Sequence, residues 1–165
     1  MNDKWIRRFM DLAIHVSQWS KDPSTKVGAV IVDPTDRRVV SMGYNGFPRG
    51  VDDSPERYAD RDFKLMYVAH AERNALDQAE CSVKGHAMYA TLFPCNECCK
   101  SIIQRGIRNV YTCVPADRAT YDRWAEKMKM SNAMLHEAGV GVHIIKQDNM
   151  DSEYELMVYN DLVRK

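Results

Sequence analysis

The sequence has no apolar run approaching the roughly 18 residues that a membrane-spanning helix needs. Its first ten residues carry Asp3, Lys4, Arg7 and Arg8 where a secretion signal would be apolar. It has no charge surplus either, since 23 Lys and Arg stand against 23 Asp and Glu. A protein that grips a long phosphate backbone normally carries a basic excess, because each neutralised phosphate contributes through counterion release. A small anionic ligand needs only two or three cations and is not excluded. There is no repeat, low-complexity tract or Gly/Ser linker. The five cysteines, Cys81, Cys95, Cys98, Cys99 and Cys113, are odd in number, which speaks against a disulfide framework. The expectation is a soluble protein of the cytoplasm, with neither a membrane nor a polynucleotide as partner.

What the chain does have is 165 residues that are 45% hydrophobic, enough for one domain spanning residues 1–165 with a real core. Trp5, Phe9, Leu12, Ala13, Val16 and Trp19 recur at helical spacing, with Asn2 or Asp3 as cap. Val27 to Val32 and Arg38 to Met42 read as a β-hairpin around the turn Asp33-Pro34-Thr35-Asp36. Gly43 to about Asp60 reads as a long loop, and loops of that length in compact domains tend to be functional. A helix strongest from Ala69 to Ala79 follows, then strand Ala87–Leu92, a helix from Asn96 to Arg105, and strand Asn109–Cys113. A helix from Tyr121 to Glu137, stopped by Gly139, leads to strand Val142–Lys146 and a last helix from Ser152 to Val163. Strands separated by helices imply parallel neighbours. The expected fold is a three-layer α-β-α architecture with a mixed five-stranded sheet and an antiparallel hairpin at one edge.

Three of the five cysteines crowd into Pro94-Cys95-Asn96-Glu97-Cys98-Cys99 at a helix start, and His70-Ala71-Glu72 stands at or near another. A Cys-x-x-Cys pair can present two thiolates to one ion, and His70 could be a third ligand brought in by the fold. One imidazole and two thiolates suit zinc, and three protein ligands leave its fourth position for water. Glu72, close to the metal without being forced onto it, could carry the water proton. Three other readings stand beside this one: a structural zinc half-site, a redox pair, and a closed site with Cys99 as fourth ligand. Cys81 and Cys113 read as small packing residues, and His15, His86, His136 and His143 as exposed or internally satisfied.

The pattern H-x-E…P-C-x-x-C is the signature of zinc nucleobase deaminases. The segments from Ser20 to Val32, Gly43-Tyr44-Asn45-Gly46-Phe47-Pro48-Arg49-Gly50 and Met88 to Cys98 resemble those of deoxycytidylate (dCMP) deaminases, closely over residues 20–112. The resemblance implies a cytidine deaminase-like fold and one Zn2+ per chain held by His70, Cys95 and Cys98. It makes Glu72 the proton shuttle for a zinc-activated water that attacks C4 of dCMP, yielding dUMP for thymidylate synthesis. It implies substrate contacts from Asn45 to the sugar, from the Phe93 carbonyl to the exocyclic amine, and from Ala71 and Lys26. The phosphate needs cations. Residues 100–129 hold seven Lys and Arg against three acids, which nominates Arg118 and Arg123, with Tyr121 beside them; residues 148–165 are acidic. Many relatives are hexamers activated by dCTP and inhibited by dTTP, which makes Gly46, Arg49 and Asp52 possible effector contacts in a homo-hexamer. The alternatives are a deaminase acting on tRNA adenosine or single-stranded DNA cytosine, and a non-catalytic zinc-stabilised nucleotide-binding module.

Overall fold

The apolar stripe from Trp5 to Val16 forms helix α1 (Asp3–Ser17), and Asn2 is its cap, the side chain accepting from the Trp5 N–H at 3.3 Å. The computed structural model describes residues 2–146, 157–160 and 162. Strands β1 (Gly28–Asp33) and β2 (Arg38–Tyr44) form the expected hairpin, antiparallel from Gly28↔Tyr44 to Asp33↔Arg38 with a register shift after Ile31. Strand β3 (Ala87–Ala90) pairs antiparallel with β1, while β4 (Asn109–Thr112) and β5 (Gly141–Ile144) add on in parallel. The order is β2-β1-β3-β4-β5.

Alternation along the central strands sends neighbouring side chains to opposite faces. Val30, Val32 and Tyr89 pack under α1 with Phe9, Ala13 and Val16. Ala29, Ile31 and Met88 face the other way, onto α4 (Ala71–Asp77), α5 (Asn96–Gln104) and α6 (Arg118–Glu137), through Leu76, Ile102 and Leu135. That is the three-layer arrangement expected. Among the described residues no helix is long and apolar enough to cross a membrane.

Two expectations need correction between β2 and α4. The long loop contains a helix, α2 (Pro55–Ala59), started by Ser54 and a proline at its first turn. The single helical segment expected after the loop, strongest from Ala69 to Ala79, is two helices, α3 (Arg61–Tyr67) and α4, parted at residues 68–70. The break comes from a tertiary contact: Gly46 and Ala69 exchange both backbone hydrogen bonds, at 3.1 and 2.9 Å. Of the expected last helix, residues 157–160 and 162 are described and are helical, and the rest lies outside the described residues.

Gly43 lets α4 approach the sheet. A Cβ there would lie 2.6 Å from the Ala71 carbonyl oxygen and would also collide with the Ala75 nitrogen.

Candidate metal centre and active site

His70 and Cys95 are both helix N-caps. His70 precedes α4 in extended conformation (φ −74°, ψ 153°), and Cys95 precedes α5 in the same way (φ −70°, ψ 167°). Cys98 is the third residue of α5, on the side of the helix that faces back over its cap. The two helix starts meet at the ends of β2 and β3, and the His70 Nδ1 lies 3.3 Å from Cys95 Sγ and 3.4 Å from Cys98 Sγ. All three donor atoms lie within 4.8 Å of one another. Zinc with about 2.0 Å to nitrogen and about 2.3 Å to sulfur, at tetrahedral angles, would set nitrogen and sulfur about 3.5 Å apart. The donor set and its spacing therefore fit zinc, and among the described residues this is the one such cluster.

Without a metal, the two sulfurs share one proton unequally. A hydrogen bond from Cys98 pulls the Cys95 thiol down to about 3, with burial opposing and His70 assisting. The Cys98 backbone N–H at the α5 N-terminus also favours the Cys95 thiolate. Cys98 is pushed up, first by the same sulfur–sulfur hydrogen bond and then by burial. Cys99 does not join them: it is buried in the core, its Sγ donates to the Pro94 carbonyl at 3.6 Å, and burial lifts its thiol to about 12. Cys113 sits against Met10 and Cys81 is exposed, and no cysteine is paired in a disulfide.

Glu72, second residue of α4, is 4% exposed. Burial pushes its carboxyl above the ordinary range, while its own backbone N–H and His70 oppose the shift. Glu72 lines a cavity of about 510 Å³ together with two of the metal donors, His70 and Cys95. Ala71 and Phe93, both expected at the substrate, line it too.

Asn45 lines the cavity, but its amide is engaged by the protein. Its Oδ1 accepts from the Val27 N–H at 2.8 Å, and its Nδ2 donates to the Thr25 carbonyl at 2.9 Å. It thereby fixes the segment 22–27 that forms one wall. Asp22 holds the same segment, accepting from the N–H groups of Ser24 (2.9 Å) and Thr25 (3.1 Å).

Four residues expected near the substrate do not line the cavity. Lys26 reaches the Gln18 carbonyl at 3.4 Å. Arg118 pairs with Asp122 at 3.7 Å, and Arg123 donates to the Thr120 hydroxyl at 2.9 Å. Tyr121 is fully buried, packed with Phe93, Val114 and Met128. Being close in sequence to a basic segment does not decide which way a helix turns a side chain. Among the described residues, the cations that line the cavity are Lys64 and Lys127, and Trp124 lines it beside Lys127. Lys64 enters the wall because the chain breaks at residues 68–70 between α3 and α4, which local spacing does not show; the 3–4 spacing of Thr120, Trp124, Lys127, Met128 and Ser131 is the sequence signal for the α6 face. Of the expected effector contacts, Gly46 is committed to the Ala69 bridge, Asp52 is bound by Arg57 at 3.3 Å, and Arg49 is exposed.

Comparison with known proteins agrees with this geometry. Residues 3–114 match the family model of the cytidine and deoxycytidylate deaminase zinc-binding region. An uncharacterized deaminase from the luxG 3′ region of Aliivibrio fischeri is 44% identical over 142 residues, covering 86% of this chain and 94% of the relative. The deoxycytidylate deaminase of Mus musculus is 48% identical over 113 residues, and the match covers 65% of this chain and 63% of the mouse protein. The crystal structure of dCMP deaminase from the cyanophage S-TIM5 superposes with a TM-score of 0.68 at 27% identity, covering 88% of this chain and all of that one. Its complex with dCMP and dUMP superposes with a TM-score of 0.65. The chain belongs to the cytidine and deoxycytidylate deaminase zinc-binding family.

Proposed function

We propose that this chain is a zinc-dependent dCMP deaminase, a single catalytic domain that hydrolyses dCMP to dUMP and ammonia. The observation that carries the reading is the buried carboxyl of Glu72 two residues from the zinc donor His70, in the cavity that Cys95 also lines. The names of the mouse and cyanophage relatives support dCMP as substrate.

Held by His70, Cys95 and Cys98, zinc would supply an acidified water. The chain's own residues do the rest. Glu72 takes the proton from that water as its oxygen bonds to C4, and passes it to N3. Attack at C4 drives electron density onto N3, so an acid there stabilises the transition state. The proton of the new C4 hydroxyl then goes through Glu72 to the amino group. The C4–N4 bond then breaks, ammonia leaves and a carbonyl remains at C4. The raised pKa of Glu72 suits this alternation, because a carboxyl titrating nearer neutrality both accepts and returns a proton readily. Asn45 and Asp22 act on the wall rather than on the bond, by holding the segment 22–27 in shape.

The same reading assigns the product dUMP to thymidylate synthesis. It includes regulation by dCTP as activator and dTTP as inhibitor in a homo-hexamer, with the exposed Arg49 as the effector contact open to solvent. Initial rates on dCMP, deoxycytidine and a short cytosine-containing oligonucleotide, each with and without dCTP or dTTP, test it. The expected result is turnover of dCMP well above the other two; equal turnover of deoxycytidine or preference for the oligonucleotide would overturn it.

A further inference from the structure

Among the described residues two ammonium groups line the cavity, and they are not equivalent. Lys64 Nζ lies 3.2 Å from Asp22 Oδ1 and donates to Ser24 Oγ at 2.6 Å, with the two ion-paired side chains only 13% and 4% exposed. Its charge is already matched, and a phosphate brought to it would stand beside the buried Asp22 carboxylate. Like charges at that separation repel strongly where water is excluded. Lys127 has no carboxylate within ion-pair distance among the described residues. Its ammonium sits over the Trp124 ring, 4.9 Å from the centroid. A cation–π contact orients an ammonium without neutralising it, so the charge remains available to an anion.

The rest of α6 sharpens the contrast. Arg118 is paired with Asp122 and Arg123 is turned onto Thr120. Thr120, Trp124 and Lys127 stand at i, i+4 and i+7, one face of the helix, and all three line the cavity. Trp124 is nevertheless 48% exposed, an unusual state for the largest apolar side chain and one that keeps a flat ring beside the ammonium at the cavity wall.

We infer that Lys127 receives the 5′-phosphate of the substrate, with Trp124 holding its ammonium in place, and that this contact sets the preference for the nucleoside monophosphate over the nucleoside. The inference rests on the reading of the chain as a dCMP deaminase. Lys64 is then a positioning residue, tying α3 to the segment 22–27.

The test is equilibrium binding of dUMP and of deoxyuridine to the zinc-loaded full chain by titration calorimetry, for the wild type, K127M, K127R and K129M. Lys129 sits on the same helix, does not line the cavity and controls for loss of one positive charge. The expected result is that K127M loses about ten- to a hundredfold in dUMP affinity, the range for a charge-assisted hydrogen bond. Deoxyuridine binding should stay unchanged, K127R should retain most of the affinity, and K129M should match the wild type. If K127M keeps the wild-type ratio of dUMP to deoxyuridine affinity, or loses both ligands equally, the assignment to Lys127 is overturned while the deaminase reading stands. If the wild type itself does not favour dUMP, the parent reading falls and takes the inference with it.

Discussion

The Nδ1 of His70 lies 3.3 Å from the Sγ of Cys95, although 25 positions separate the two residues. The contact joins the caps of α4 and α5, so zinc in this site adds a tie between two helix starts whose bodies are already linked by the Arg73 guanidinium donating to the Ser101 hydroxyl at 3.1 Å. Removing the metal with a chelator is therefore expected to lower the melting temperature as well as abolish turnover. Cys95→Ser should do the same in the presence of excess zinc. Metal content by atomic spectroscopy, alongside thermal melts, checks this; an unchanged melting temperature after complete metal removal would contradict it.

Asn45 is expected to be a stability residue before it is a substrate residue. Asn45→Ala leaves the Val27 N–H and the Thr25 carbonyl without the partners they have in the native chain. The expected loss is about 1–3 kcal/mol for partly buried polar groups left unsatisfied. Chemical denaturation measures it, and a loss below the scatter of the fit would show that the wall is held by other contacts.

Asp22 gives a dependence on pH with a definite sign. Burial works to raise its pKa, but the N–H groups of Ser24 and Thr25, the Ser24 hydroxyl and Lys64 outweigh it, and the carboxyl titrates below its ordinary range. A carboxyl lowered in the folded state contributes stability that is complete above its unfolded value, about 3.9, and is lost as pH falls through the folded value. The wild type should therefore exceed Asp22→Asn in melting temperature near neutrality, and the gap should close below about pH 4. Melts taken across the acid range decide this; a gap independent of pH would mean that the charge of Asp22 contributes nothing.

Gly43→Ala places a methyl group against the backbone of α4 at Ala71 and Ala75. Backbone cannot swing aside as a long side chain can, so the expected cost is about 1–3 kcal/mol. Because α4 carries Glu72, kcat should fall together with stability. A variant with native stability and native kcat would show that α4 has room to move.

Much of this molecule is readable in its residues, and what is not has a common cause. The cap at Asn2, the hairpin around Asp33-Pro34 and the parallel run of β3, β4 and β5 follow from local spacing. The metal donors follow from the placement of His70, Cys95 and Cys98 near helix starts, where a cap and the third helical residue face one point. The break before α4 is invisible locally, because it is made by Gly46 pairing with Ala69 across the site. One cavity cation, Lys64, is hidden for the same reason, whereas Lys127 falls on a face of α6 that helical spacing marks out. Lys26, Arg118 and Arg123 lie in the right stretches of chain but reach other partners, while Lys64 enters only because that break turns α3 over the cavity.

The account turns on Glu72, and the most direct measurement is dCMP turnover by the wild type and Glu72→Gln at equal, verified zinc content. Glutamine keeps the shape of the side chain and its place in α4 but cannot carry a proton. The predicted result is conversion of dCMP to dUMP and ammonia by the wild type, with zinc retained and kcat reduced about 10²- to 10⁴-fold in the variant. A zinc-loaded Glu72→Gln protein that keeps most of its activity would contradict the assignment of Glu72 as the proton carrier.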